Sequence, residues 1–202
     1  MTRLLTAFLL TILSAVSASA TTADTILKSA ADRYQRLKTI SASYSATSGS
    51  EKMNGTIVTS GDKFHISSPQ LSTWYDGRTQ WTYSPSSNEV NITEPTAEEL
   101  QQVNPFAIIS AFRRAYKGTL LKSPAGTHTV QLLPLDKKAS IRKAVVTFDA
   151  KTLYPTLIRL TTDNNATLSI KVTNVVAGKK YPLSTFVFDK KKYPGAEIID
   201  LR

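Results

Sequence analysis

Apolar residues recur at steps of three and four only near the start of the chain and again between positions 97 and 117; elsewhere they alternate with polar ones. Leu27, Ala30, Ala31, Tyr34 and Leu37 predict a helix over 24–38 with Asp24 as its cap. From Ile40 the period becomes two, with Ile40, Ala42, Tyr44 and Ala46 on one side and serines and a threonine on the other. Further alternating runs cover 55–59, 63–67, 71–76, 79–84 and 88–93. The breaks between them, at Ser60-Gly61-Asp62, Ser68-Pro69, Asp76-Gly77 and Pro85-Ser86-Ser87, are turn chemistry spaced for an antiparallel meander. Asp-Gly favours the positive φ of a hairpin loop, after which Trp81 and Tyr83 share one face of the returning strand.

Thr96 followed by Glu99 is a capping-box pattern and opens a second helical stretch. Asn104-Pro105 interrupts it, because the residue before Pro avoids the helical region whereas Pro suits a first turn. A third helix is predicted over 105–117, ended by Gly118. Strand patterns resume at 127–133, 143–148, 155–161, 166–176, 183–188 and 197–201. The inventory is mainly β with α. With about 11 or 12 strands against three helical pieces, it fits a single strongly curved antiparallel sheet with helices covering its mouth.

The first twenty residues read as an export signal: Arg3, a short apolar run from Leu4 to Val16, and a small-x-small cleavage site at Ala18-Ser19-Ala20. The run falls short of the ~20 residues that an anchor needs. A single domain over 21–202, outside the cytoplasm, is therefore expected. The sequence has no cysteine, which excludes disulfides, thiol nucleophiles and a lipid-modified Cys after the signal. The formal net charge of +10 favours acidic partners. Lys137-Lys138, Lys179-Lys180 and Lys190-Lys191-Lys192 suit solubility and edge protection, or steering toward an acidic protein or an anionic membrane. Nucleic acid is not an expected partner for an exported chain.

Catalytic chemistry is missing from the pattern. His65 and His128 stand far apart without metal-ligand spacing, no serine sits in a Gly-x-Ser-x-Gly elbow, and the glycines are scattered singly at turns. No enzyme, metal or cofactor is indicated. The apolar inventory says more. Phe64, Ile66, Trp74, Trp81, Tyr83, Val90 and Ile92 can share the concave face of the first half-sheet, and Val146, Phe148, Phe186 and Phe188 that of the second. Helices bearing Leu100, Val103, Phe106, Ile109 and Phe112 can fill that hollow as a core or cover it as a removable lid. A sixteen-carbon acyl chain buried there gains on the order of 10 kcal/mol gross.

The order of these features resembles the LolA family of periplasmic outer-membrane lipoprotein carriers. The resemblance rests on the signal peptide, the first helix, the hairpin from Gly55 to Phe64, Asp76-Gly77-x-x-x-Trp81-x-Tyr83-x-Pro85, Asn104-Pro105-Phe106 and the segment from Phe188-Asp189 to Leu201. It implies an unclosed barrel with a helical lid that takes triacylated lipoproteins from an inner-membrane lipoprotein-releasing ABC transporter to an outer-membrane acceptor. Transfer would be driven by affinity, and the carrier is expected to be a monomer. The chain departs from the family at Thr59-Ser60-Gly61-Asp62, where a basic residue followed by Pro often serves lid closure; Lys63 is the nearest stand-in. The alternative reading is a periplasmic stress-sensing or regulatory lipid-binding module on the same half-barrel. A sensor is expected to add a domain for its signalling partner.

Overall fold

The computed structural model describes residues 21–104 and 106–202, so the export signal and Pro105 lie outside the described residues. The chain runs α1 (Ala23–Leu37), β1 (Thr39–Ser48), β2 (Glu51–Ser60), β3 (Lys63–Ser67), β4 (Ser72–Tyr75), β5 (Gln80–Ser84) and β6 (Glu89–Thr93). It continues through α2 (Ala97–Val103), α3 (Ala107–Ala115), β7 (Tyr116–Leu121), β8 (Thr127–Pro134), β9 (Ile141–Asp149), β10 (Pro155–Thr162), β11 (Thr167–Ala177) and β12 (Glu197–Asp200). All twelve strands form one open sheet in the order β12-β6-β5-β4-β3-β2-β1-β11-β10-β9-β8-β7. The predicted mainly-β, unclosed architecture is what is observed. One pairing departs from it: β12 lies parallel to β6.

Alternation sets what each half of the sheet buries. Residues paired across neighbouring strands point to the same face, so Leu132, Ala144 and Leu160 share a face with Val130, Val146, Ile158, Ile170 and Ala46. Against that face sit Ile26, Leu27 and Ala30 of α1 and Ile108, Ile109 and Phe112 of α3, in one core cluster. The β7–β11 side of the hollow is thus filled by helices. Leu27, Ile108, Ile109, Leu132 and Phe148 are fully buried there, and side chains of this size each contribute about 1.5–3 kcal/mol on burial.

Four local expectations are corrected. Thr22, not Asp24, caps α1: its hydroxyl accepts from the Thr25 amide at 3.2 Å, and Asp24 lies in the first turn beside the positive helix end. The third helix stops at Ala115 and Tyr116 opens a strand, so Gly118 is not a helix terminator. Gly118 faces α1 instead, where a Cβ would lie 3.1 Å from Leu27 and 3.3 Å from Ala23; the glycine admits the helix. The run 183–188 is not a strand but begins with a 3-10 turn, Leu183–Phe186, because it crosses the outside of the sheet rather than extending an edge. Finally, β2 starts four residues before the predicted run, at Glu51.

Candidate functional site

The first half of the sheet is covered differently on its two faces. The turn closed by the Ser68 amide on the Leu71 carbonyl (2.8 Å) pairs Phe64 with Tyr75, His65 with Trp74 and Ile66 with Thr73. The next hairpin pairs Trp74 with Trp81 and Thr73 with Thr82. Its Asp76 carboxylate accepts from the amides of Arg78 (2.9 Å) and Thr79 (2.8 Å), which fixes the loop around Gly77 at φ 105°. The first turn therefore sets the parity. Phe64 and Ile66 face the hollow, while Trp74, Trp81, Tyr83, Val90 and Ile92 face outward.

On the hollow side lies an apolar cavity of about 330 Å³, bounded by Tyr44, Ala46, Met53, Ile57, Ile66, Leu71, Thr73 and Thr82 of the sheet side. Leu168 and Ile170 of β11 close one end, and Gln102, Val103 and Phe106 cover the mouth. Asn104 positions that cover: its side-chain oxygen accepts from the Phe106 amide at 3.1 Å and its carbonyl from the Ala107 amide at 2.9 Å. The Asn-x-Phe pattern thus turns the chain so that the Phe106 ring meets the cavity.

On the outward side, the C-terminal segment lies over the same strands. Phe188 and Tyr193 meet Trp74 edge-on at 5.6 Å each, Tyr193 lies 4.5 Å from Tyr83, and His65 stacks on Trp74 at 4.9 Å. Phe186 is fully buried. These rings form a clasp. Lys63, the stand-in for a lid-controlling basic residue, alternates with Phe64 and so lies on this outward face, away from the cavity.

The predicted site residues accordingly separate into three groups. Ile66 and Phe106, with Val103, border the cavity. Val146, Phe148, Ile109 and Phe112 belong to the helix-filled core, and Phe64 stacks on Tyr75 at 5.3 Å beside the hollow. Leu100 is half-buried on α2 and does not border the cavity. Trp74, Trp81, Tyr83, Val90, Ile92, Phe186 and Phe188 are not on a concave face at all; the first five point outward by register, and the last two lie in the segment that covers them. Sequence reasoning missed Tyr44, Met53, Ile57, Thr73, Thr82, Leu168 and Ile170. The alternation of β1 already marked Tyr44 and Ala46 as inward, and the pairing sum across the Ser68 turn would have supplied Thr73.

The cover is tied down by polar contacts. Tyr116 donates its hydroxyl hydrogen to the Gln101 side-chain oxygen at 2.7 Å, and Gln101 in turn donates to the Ala97 carbonyl at 3.1 Å. The Ser140 amide donates to the Glu98 carboxylate at 2.8 Å. Burial pushes the Tyr116 phenol above its ordinary range, with a smaller push from the Glu98 charge, so it remains a donor at neutral pH. Two hydrogen bonds therefore hold α2 to β7 and to the β8–β9 loop.

The model of the outer membrane lipoprotein carrier protein LolA family matches residues 13–164. An uncharacterized conserved protein from Thermus thermophilus is similar in structure, with a TM-score of 0.57 and 9% identity over 86% of this chain and 98% of that one. A LolA superfamily protein from Nitrosomonas europaea is similar with a TM-score of 0.46 and 14% identity, over 85% of this chain and 100% of that one. No curated protein matches the sequence. The Thermus likeness shows a shared fold over nearly the whole of both chains.

Proposed function

The chain belongs to the family of the outer membrane lipoprotein carrier protein LolA, and on that footing we propose that it carries acylated lipoproteins across the periplasm, with their tails in the cavity under Val103 and Phe106. The observation that supports this reading is a mainly apolar hollow between the sheet and a cover formed by the end of α2 and Phe106. Apolar burial supplies the affinity, at about 0.8 kcal/mol per CH₂. No bond is made or broken by the carrier.

At about 330 Å³ the resting cavity stands at the lower end of ligand pockets, roughly 300–1,000 Å³. A cargo with three acyl chains therefore requires α2 and Phe106 to swing outward. An inner-membrane lipoprotein-releasing ABC transporter would load the open form, and an outer-membrane acceptor of higher affinity would empty it. Native mass spectrometry of the protein isolated from the periplasm tests the reading. A complex with a triacylated lipoprotein is expected; a complex with an unacylated protein and an empty cavity would replace the carrier role with a regulatory binding module.

A further inference from the structure

The outward face of β7–β11 carries no helix, since α1 and α3 pack on the inward face, and the C-terminal clasp lies over β3–β5. Register decides which side chains stand there. Arg159 pairs with Val145 on one side and Ser169 on the other, Thr161 pairs with Lys143 and Leu157 with Lys171, alternating with the inward Ile158 and Leu160. Lys143, Arg159 and Lys171 therefore form a diagonal row across three strands, each about 7–8 Å from the next. Lys117 of β7 extends the row: it pairs with Leu133, which follows the Leu132–Ala144 pair and so stands beside Lys143. All four cations are exposed, and none of them forms an ion pair among the described residues. One acid, Asp149, occupies an outward position of these strands, and its carboxylate is engaged by the Lys151 and Thr152 amides and the Thr152 hydroxyl.

Three leucines flank the row. Leu121 and Leu133 take outward positions of β7 and β8 by the same alternation, and Leu135, whose amide donates to the Ala115 carbonyl, continues it; they are 36%, 42% and 61% exposed. Asp136, next in the chain, turns its carboxylate to the Lys138 amide at 2.8 Å. Like charges set side by side on one sheet face oppose folding, and a face that served solubility alone would mix both signs and show fewer leucines.

We propose that this face docks the protein onto the anionic surface of a phospholipid bilayer, the leucines entering the boundary between headgroups and acyl chains and the four cations meeting lipid phosphates. Cations alone would suit any polyanion. Apolar side chains set beside them suit a lipid interface, which is charged at its surface and apolar just beneath. The proposal is independent of the cavity reading, because the docking face and the cavity lie on opposite faces of the sheet.

The test sediments the exported protein with phosphatidylcholine vesicles, with and without phosphatidylglycerol, at low and high salt. Binding is expected only where phosphatidylglycerol is present, and it should weaken at high salt. Lys143→Gln, Arg159→Gln and Lys171→Gln together should weaken it on the order of a hundredfold, while the urea midpoint stays level or rises because the like charges are gone. Leu133→Ser with Leu135→Ser should weaken it at least about fivefold, and Phe106→Ala at the cavity mouth should leave it unchanged. No sedimentation with the anionic vesicles, equal sedimentation with both kinds, or an unchanged triple variant would overturn the proposal. Leucine variants that bind as before, with soluble polyglutamate displacing the protein from the vesicles, would assign the face to an acidic macromolecule and overturn it as well. A loss of binding in Phe106→Ala would move the contact to the cavity and remove the docking face.

Discussion

The two faces of strands β3–β5 do opposite work with opposite side chains. Outward, Trp74, Tyr83, Phe188, Tyr193 and His65 interlock at ring distances of 4.5–5.6 Å. Inward, Ile66, Thr73 and Thr82 are thin residues that leave a void. β4 is buried on both faces, but its inward face is packed by the Phe64–Tyr75 stack at one end and borders the void at Thr73. Large rigid rings bind the C-terminal segment to the sheet, and small or aliphatic side chains keep space free for a guest. Stability and capacity are thereby separated by the thickness of one strand.

Removing the largest ring is the sharpest way to break that separation. Trp74→Ala should cost about 3–5 kcal/mol of stability, read as a lower urea midpoint, because it hollows the clasp. Lipid binding by the protein that remains folded should be unchanged. A loss of binding with unchanged stability would place the tryptophan in the site after all. Phe106→Asp is the converse. It sets a carboxylate over an apolar mouth, so acyl-ester affinity should fall at least about tenfold while the urea midpoint moves little, since Phe106 is only half-buried.

The contrast also explains what was legible in the sequence. Strands, turns, the capping box and the open sheet were readable because alternation and turn chemistry are local. The face on which each aromatic lies was not, because it depends on the pairing parity fixed at the Ser68–Leu71 turn. That turn pairs Phe64 with Tyr75, not with Trp74. Aromatic size then misled: the biggest side chains suggested a lipid site, whereas they serve the C-terminal segment. Gly118 misled for a related reason. Its use is the close approach of α1, a tertiary demand that resembles a helix stop when read locally.

Tyr116→Phe probes the cover with a smaller effect. It leaves the Gln101 carbonyl oxygen without its donor and should cost about 1–2 kcal/mol. Because that bond holds α2 closed, loading of an acyl ester should become faster while the clasp is untouched, which stopped-flow dye displacement would register. Slower loading would mean that α2 does not form the gate.

The mildest test acts on the clasp through His65. Burial foremost, and the Lys192 charge next, hold its pKa below the ordinary histidine value, so the folded protein disfavours a proton that the unfolded chain accepts near pH 6.5. The corresponding stability is fully present above that pH and is lost as pH falls from there toward the folded pKa. Glu99 and Asp149, held low chiefly by backbone hydrogen bonds from Thr96 and Thr152, lose their contributions only at pH about 4 and below. Urea midpoints at pH about 7.5 and about 5.5, on either side of the ordinary histidine pKa, are followed by the emission of Trp74 and Trp81. They should drop across this interval in the unaltered protein and drop less in His65→Phe, whose ring keeps the stack on Trp74. Both tryptophans lie on the outward face, so the emission follows the clasp rather than the cavity. An equal drop in both proteins would relocate the acid sensitivity away from the clasp, whereas an emission change on adding methyl laurate would show that the two faces are coupled.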